Sequence, residues 1–193
     1  RPLMDAEDLM EKLFAYGHKI IHLPTLKISS VKTELINSDN FDAFIFTSAN
    51  AVRNLKLTNT KKNLHCFCVG SITEKIARQS GFTSTTSAGG TVNALKNLIM
   101  ISDKVNENSN LAYFCGDNIS YDLDLELRNE GLKIKKIINY SSEIISDLNN
   151  ENKKLIEAYP PDLIYIYSVR SAESFIAIVK NYELNPLVTQ STV

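Results

Sequence analysis

The sequence has no excess of charge of either sign, and this absence excludes several classes of function. Its 193 residues carry 21 lysines and arginines against 22 aspartates and glutamates, which gives a formal net charge of −1. Because nucleic-acid binding depends on a basic field or patch, no nucleic-acid partner is expected. The chain also has no apolar run long enough to span a membrane, so no membrane partner is expected either. A polyanionic ligand would have to be held by local groups.

Cysteine is scarce, and its spacing does not favour a metal site. The three cysteines, Cys66, Cys68 and Cys115, all lie in apolar runs. Cys66 and Cys68 alternate with Phe67, which predicts that they face the same side of a strand. There is no Cys-x-x-Cys pair and no second ligand cluster. We therefore predict no metal site and reduced core cysteines, which are typical of a cytoplasmic protein.

Four apolar runs each end in small polar residues that are followed by a helical pattern. This order predicts a buried parallel strand that delivers a turn to a helix N-terminus, where backbone N–H groups can bind an anion. Open α/β sheets bind ligands at this edge. The turns are Thr47-Ser48-Ala49-Asn50 after Phe44–Phe46, Val69-Gly70-Ser71-Ile72-Thr73 after Cys66–Cys68, Gly116-Asp117-Asn118 after Leu111–Cys115, and Ser168-Val169-Arg170-Ser171 after Leu163–Tyr167.

Helical patterns alternate with these runs. Gly17, Gly81 and Gly131 each follow a helical pattern, at the position where a glycine in the left-handed conformation ends a helix. Another helix is predicted over Thr91–Ile101, with apolar residues on one face. The alternation predicts the α/β class with parallel sheets.

Two extended stretches, at residues 23–28 and 139–145, enclose a complete βα series. We predict two parallel-sheet α/β domains joined by a two-stranded linker, one domain being discontinuous. The outer domain would hold residues 1–27 and 145–193, and the inserted domain residues 28–144. The outer domain is small for an independent core and stops soon after a predicted strand start at Leu187-Val188-Thr189. We therefore expect that it is truncated, with residues missing at both ends.

The order of the turns resembles that of the uroporphyrinogen-III synthase family. The residues that carry the resemblance are Arg1-Pro2, similar to the end of the opening strand motif; Phe46–Val52, similar to the signature turn; Val69-Gly70 with Thr73; Phe114-Cys115-Gly116 with Leu127 and Gly131; Asn139-Tyr140 in the returning linker; and Tyr167–Ala172. The chain departs from the family pattern at Val169, often proline, and at Glu74, often alanine.

The resemblance implies an enzyme of tetrapyrrole and heme biosynthesis, a hydro-lyase that cyclises hydroxymethylbilane with inversion of the terminal pyrrole ring. Water is lost, a spiro intermediate forms in an inter-domain cleft, and no cofactor is needed. The resemblance also implies a cytoplasmic monomer, with the preceding enzyme of the pathway as a candidate partner.

The implied catalytic residue is Tyr140, whose hydroxyl would assist the loss of water. The alternative for Tyr140 is a hinge residue whose hydroxyl faces water. The candidate substrate-binding residues are Thr47, Ser48, Asn50, Gly70, Ser71, Thr73, Gly116, Ser168, Arg170 and Ser171. The alternative for the serines and Asn50 is plain helix capping, and the alternative for Arg170 is a solvated surface charge.

A second class of function stays open from the sequence. A hinged two-domain module could bind an anionic small molecule without any chemistry, because the fold alone does not distinguish the two. A dehydrogenase of the Rossmann type is disfavoured, since no Gly-x-Gly-x-x-Gly follows a strand.

Overall fold

A computed structural model describes residues 3–59, 61–189 and 191–192 of the chain. Arg1-Pro2, where the sequence resembles an opening strand motif, lies outside these residues. The strands are β1 (Leu26–Ser30), β2 (Ile36–Asn37), β3 (Ala43–Phe46), β4 (Leu57–Asn59), β5 (His65–Cys68), β6 (Thr85–Ser87), β7 (Asn110–Gly116) and β8 (Lys133–Ile144). The helices are α1 (Leu3–Ala15), α2 (Ala49–Arg53), α3 (Ser71–Gln79), α4 (Val92–Met100), α5 (Leu123–Asn129), α6 (Asn150–Ala158), α7 (Val169–Asn181) and α8 (Asn185–Val188), with a 3-10 turn at Ser38–Asn40.

Six strands form one sheet in the order β1-β8-β7-β3-β5-β6. The pairs β3–β5, β3–β7, β5–β6 and β7–β8 are all parallel. All residues of β3 and β5 are buried, as expected for parallel strands that are covered on both faces. The predicted α/β class with a mainly parallel sheet is confirmed.

The two faces of this sheet bury separate apolar clusters. One face collects Phe44, Phe46, Cys66, Cys68 and Phe114, among others. The opposite face collects their sequence neighbours, which include Ile45, Phe67, Tyr113 and Cys115. The prediction that Cys66 and Cys68 share a face, with Phe67 on the other, is confirmed.

The two predicted extended stretches contribute strands β1 and β8. The Val31 N–H donates to the Asn139 carbonyl at 3.3 Å, and the Ile145 N–H donates to the Thr25 carbonyl at 3.0 Å. From Thr25 to Val31 the residue number rises, while that of the hydrogen-bonded partner falls from Ile145 to Asn139. The strands β1 and β8 therefore run antiparallel. β8 is therefore parallel to β7 on one side and antiparallel to β1 on the other.

The chain divides into two compact units. One comprises Arg1–Ile28 with Ser142–Val193, and the other comprises Ser29–Ser141. The second unit contains most of the six-stranded sheet. The first has its own small apolar cluster, formed by Leu148, Ile156, Ile178, Val179 and Leu184. The prediction of a discontinuous outer α/β domain at residues 1–27 with 145–193, and of an inserted α/β domain at residues 28–144, stays a prediction.

The three predicted glycine helix ends are confirmed. Gly17, Gly81 and Gly131 have φ values of 83°, 93° and 92°. After α5, the Gly131 N–H donates to the Arg128 carbonyl and the Leu132 N–H to the Leu127 carbonyl, the hydrogen-bond pair of a Schellman motif. The predicted helix over Thr91–Ile101 is also confirmed, since α4 has Thr91 as its N-cap and Ile101 as its C-cap.

Two strand predictions are wrong. Among the residues that the structure describes, the run Leu163–Tyr167 forms no strand, and a single β-bridge joins its Leu163 to Thr192. Its side chains are half-buried or exposed, whereas an apolar strand needs hydrogen-bonded neighbours and cover on its faces. Leu187 and Val188 lie in helix α8, because Pro186 occupies the first turn of that helix, where its fixed φ is favourable.

Along the described ranges, no helix combines the length and apolar character that a membrane crossing requires.

The change Gly131→Ala should lower the free energy of unfolding by about 1–2 kcal/mol, because an alanine resists the left-handed conformation. No atom lies within 4 Å of an added Cβ, so a steric clash would not contribute. Gly131→Asn is the matched control, since asparagine tolerates this conformation better, and it should lose clearly less. Urea denaturation measures the free energy of unfolding of both variants. Equal losses for the two variants would contradict a conformational cause.

Candidate functional site

Three of the predicted turns lie at one edge of the sheet, because β3, β5 and β7 are adjacent and parallel. The register pairs Phe46 with Phe114 on one side and with Cys68 on the other. The ladder continues into the second turn, where the Val69 N–H donates to the Phe46 carbonyl at 2.9 Å. The residues that follow these strands therefore leave the sheet side by side.

The first turn, Thr47-Ser48, begins helix α2. Ser48 is the N-cap, and its hydroxyl accepts a hydrogen bond from the Asn50 N–H at 3.1 Å. The Asn50 side chain accepts from the guanidinium of Arg53 at 3.2 Å, which places a positive charge beside the turn. Ser48 thus caps the helix, as the capping alternative expected. Capping leaves other N–H groups of the first turn without intrahelical partners.

A buried tyrosine supports Thr47. The hydroxyls of Thr47 and Tyr113 are 3.2 Å apart, and the Tyr113 side chain is 1% exposed. Burial raises the pKa of Tyr113, and the hydrogen bond with Thr47 opposes the rise. Tyr113 therefore stays neutral at ordinary pH and holds the Thr47 side chain in place.

The second turn begins helix α3 without a side-chain cap. Gly70 is the N-cap, and a Cβ there would lie 3.5 Å from the Cα of Gly90, so two backbone turns approach each other. Ser71 is exposed, while Thr73 is 5% exposed and lies in the interior. Glu74 puts a negative charge in the first turn, but Arg78 pairs with it at 2.8 Å and lowers its pKa.

Tyr140 lies directly over the third turn. It pairs with Gly116 in the register of β7 and β8, and its carbonyl accepts the Asp117 N–H at 3.1 Å. A Cβ added to Gly116 would lie 2.8 Å from two atoms of the Tyr140 ring. Gly116 therefore provides the space in which the ring sits.

The Tyr140 hydroxyl is held as a neutral hydrogen-bonding group. Burial raises the pKa of Tyr140, and hydrogen bonds from the Ser48 side chain and the Gly116 backbone oppose the rise. A raised pKa keeps the proton on the hydroxyl at neutral pH, so it can donate to a ligand. Tyr140, Ser48 and Gly116 thus form one cluster at this edge.

The fourth predicted turn belongs to the other compact unit. Ser168 is the N-cap of α7, and its hydroxyl accepts the Ser171 N–H at 3.2 Å. The guanidinium of Arg170 donates to the hydroxyl of Ser142, and also to the Ser142 carbonyl at 2.7 Å. Arg170 therefore fixes the start of α7 to the end of strand β8.

The candidate residues fall into two groups. Thr47, Ser48, Asn50, Gly70, Ser71, Thr73, Gly116 and Tyr140 belong to the unit that holds the sheet, and Ser168, Arg170 and Ser171 belong to the other. Their roles in binding and catalysis stay predictions.

Three features of the site were missed in the sequence. The Tyr113 hydroxyl lies in an apolar run that suggests only packing. Asn139 lies in the extended stretch at residues 139–145, where a role was predicted only for Tyr140. The turn at Gly89-Gly90, which contacts Gly70, has a signal in its glycine pair that marks a turn.

The chemistry of the cysteines fits a structural role. Cys66, Cys68 and Cys115 are buried and free, and burial raises their pKa values, to about 12 for Cys68 and about 11 for Cys115. No reactive thiolate is expected near neutral pH. Within the part of the chain that the structure describes, no group of His, Cys, Asp and Glu side chains could hold a metal ion.

The fold and this edge define the class: an α/β protein whose parallel sheet brings polar turns and a buried tyrosine together. The family model described as "Uroporphyrinogen-III synthase HemD" matches residues 7–191. The chain therefore belongs to the uroporphyrinogen-III synthase family, a family of cyclising lyases.

Solved structures agree with the fold. A uroporphyrinogen-III synthetase from Helicobacter pylori has a TM-score of 0.58 and 18% identity, covering 80% of this chain and 70% of that one. A mutant uroporphyrinogen III synthase from the extremely thermophilic bacterium Thermus thermophilus has a TM-score of 0.52 and 14% identity, covering 92% of this chain and 73% of that one. At such identities the likeness shows the fold alone. No curated protein matches the chain.

The change Gly116→Ala should lower the free energy of unfolding by about 1–3 kcal/mol, because the new methyl group overlaps the Tyr140 ring. The backbone of Gly116 does not have a positive φ, so alanine is otherwise tolerated. In a Tyr140→Ala background the same change should cost much less. Denaturation of the four proteins of this double-mutant cycle measures the coupling. Additive losses would show that the ring is not what Gly116 accommodates.

Proposed function

We propose that the protein is a uroporphyrinogen-III synthase, which cyclises hydroxymethylbilane with inversion of the terminal pyrrole ring. The observation that carries the proposal is the family match over residues 7–191. The polar edge of the sheet, with a neutral tyrosine at its centre, supports it. The proposal includes a cytoplasmic monomer that needs no cofactor.

The substrate carries eight carboxylates, and the protein has a net charge of only −1. Backbone N–H groups of the turns at Thr47–Asn50 and Gly70–Thr73, apart from the Asn50 N–H that donates to Ser48, are proposed to bind some of these carboxylates, with the helix N-termini favouring the negative charge. Arg53 adds a positive charge beside the first turn. That Ser168, Arg170 and Ser171 bind the same substrate stays a prediction.

Tyr140 is proposed to assist the first chemical step. Its hydroxyl donates a hydrogen bond to the hydroxyl of the substrate and stabilises its departure. That hydroxyl leaves as water, the pyrrole ring that carries it loses its N–H proton to balance the water, and an azafulvene is produced. The terminal pyrrole attacks through its substituted carbon and forms a spiro intermediate, which fragments and closes again with the ring inverted. Because a tyrosine of raised pKa is a weak acid, a hydrogen bond is favoured over full proton transfer.

The alternative is a non-catalytic module that binds an anionic small molecule. The two are separated by incubating the protein with hydroxymethylbilane and resolving the uroporphyrinogen isomers by chromatography. Formation of the type III isomer above the protein-free control supports the synthase. Tight binding of the substrate without any type III product would favour the binding module.

The change Tyr140→Phe should slow formation of the type III isomer about thirty- to a thousandfold, because it removes one hydrogen bond that strengthens in the transition state. Tyr165→Phe is the matched control, since Tyr165 is largely exposed in the other unit and should retain full turnover. Residual product should still be mainly the inverted isomer. Unchanged turnover would reduce Tyr140 to a packing residue, and release of the non-inverted isomer would mean that Tyr140 holds the terminal ring instead.

A further inference from the structure

We propose that Asn139 is a positioning residue, which joins helix α2 to strand β8 and thereby fixes the Tyr140 hydroxyl against the Thr47-Ser48 turn. The inference rests on the proposed function for its catalytic consequence, but the geometry that it describes is independent of substrate.

Asn139 is the extra residue of a β-bulge. Along β7 and β8, Cys115 pairs with Ile138 while the next residue, Gly116, pairs with Tyr140. One residue of β7 is thus opposed by two residues of β8. A bulge re-aims the side chains beyond it, and here it sets Tyr140 opposite Gly116, where its ring has space.

The side chain of Asn139 links this bulge to α2. It is 2% exposed, and its Nδ2 donates to the Ala51 carbonyl at 2.7 Å. Ala51 lies in the five-residue helix Ala49–Arg53, whose last carbonyls have no partner inside the helix. One side-chain amide therefore satisfies one carbonyl of the helix whose start is capped by Ser48.

The shortness of α2 makes this link effective. Ser48 lies only three residues before Ala51, and its hydroxyl accepts from the Asn50 N–H. Its side chain also lies close enough to the Tyr140 hydroxyl to oppose the rise in the pKa of Tyr140. A closed path therefore runs from Asn139 through Ala51 and Ser48 to Tyr140, and back along the backbone of β8. Displacement of α2 would move the partner of the Tyr140 hydroxyl.

The carbonyl oxygen of the Asn139 side chain indicates that packing alone does not explain why an asparagine lies at this position. Among the described residues, the Asn139 Oδ1 is buried and has no hydrogen-bond partner. An apolar side chain of similar size would avoid that unfavourable burial. The bond from Nδ2 to the Ala51 carbonyl is what an asparagine provides here and an apolar side chain would not.

The test compares Asn139→Leu with wild type, Asn54→Leu and Tyr140→Phe in the full chain. Asn54 is the matched control, because its Nδ2 also donates to a carbonyl of α2, that of Asn50, at 2.9 Å. Asn139→Leu should lower kcat for the type III isomer about ten- to a hundredfold, the range for a reacting group displaced by about 1 Å. KM should change less than about threefold, and Asn54→Leu should keep kcat within about threefold of wild type.

Coupling to Tyr140 distinguishes positioning from general stability. In a Tyr140→Phe background, Asn139→Leu should lower kcat less than about twofold, because the hydroxyl that it positions is already absent. The same loss in both backgrounds would overturn the proposal.

A second readout does not depend on activity. In protein labelled with 13Cζ-tyrosine, the Tyr140 resonance is assigned by its loss in Tyr140→Phe. That resonance should shift in Asn139→Leu and stay in place in Asn54→Leu. If wild type makes no type III isomer, the proposed function fails, and this spectrum alone decides the positioning role. An unshifted resonance in Asn139→Leu would overturn it.

A same-sized variant covers the case in which Asn139→Leu fails to fold. In Asn139→Asp the ionised carboxylate faces the Ala51 carbonyl and cannot donate, whereas the protonated acid can. Burial raises the pKa of such a carboxyl, so the carboxyl becomes protonated as the pH falls. The kcat of Asn139→Asp, relative to that of wild type, should therefore recover at lower pH. The Tyr140 resonance should return toward its wild-type position over the same range. A pH-independent ratio with an unmoved resonance would count against the proposal.

Discussion

The structure depends on the burial of β3, β5 and β7 on both faces of one sheet. Every residue of β3 and β5 is buried, so these strands have no position for a charged side chain. Charged groups can enter this part of the chain only where the strands end, and the one hydroxyl inside β7, that of Tyr113, pairs with Thr47 at that end. Since the three strands are parallel and adjacent, their polar ends meet at one edge. The site is thus a consequence of how the core is covered.

The same constraint explains what the sequence could predict. A continuous apolar run such as Phe44–Phe46, followed by Thr47-Ser48, has few interpretations other than a buried strand that leads into a helix. The helix ends at Gly81 and Gly131 could be predicted equally well, because a glycine with positive φ is typical of a known helix ending. These are local signals, in which the residues themselves fix the geometry.

Features that depend on residues distant in the sequence could not be predicted. Leu163–Tyr167 has the composition of a strand, but strand formation depends on neighbours elsewhere in the chain, and its bridge in the described part of the chain is to Thr192. The register slip at Asn139 likewise has no local signature, because it is defined by pairing with Cys115 and Gly116. The hydroxyl pair of Thr47 and Tyr113 joins residues 66 positions apart. Sequence reasoning therefore identified the turns but not the groups that support them.

The contacts that hold Tyr140 beside the polar turns suit the chemistry proposed for this protein. A flexible, highly charged substrate must be folded into one geometry, so the position of each hydrogen-bonding group matters more than its acidity. Tyr140 is held from three sides: Gly116 leaves space for its ring, the Ser48 side chain lies beside its hydroxyl, and the bulge at Asn139 sets its direction. Each of these supports belongs to a strand of the sheet or to the start of helix α2. A weakly acidic hydroxyl fixed in this way can act on one leaving group without a cofactor. Rigidity around Tyr140 is therefore the property that would separate a synthase from a protein that merely binds the same anion.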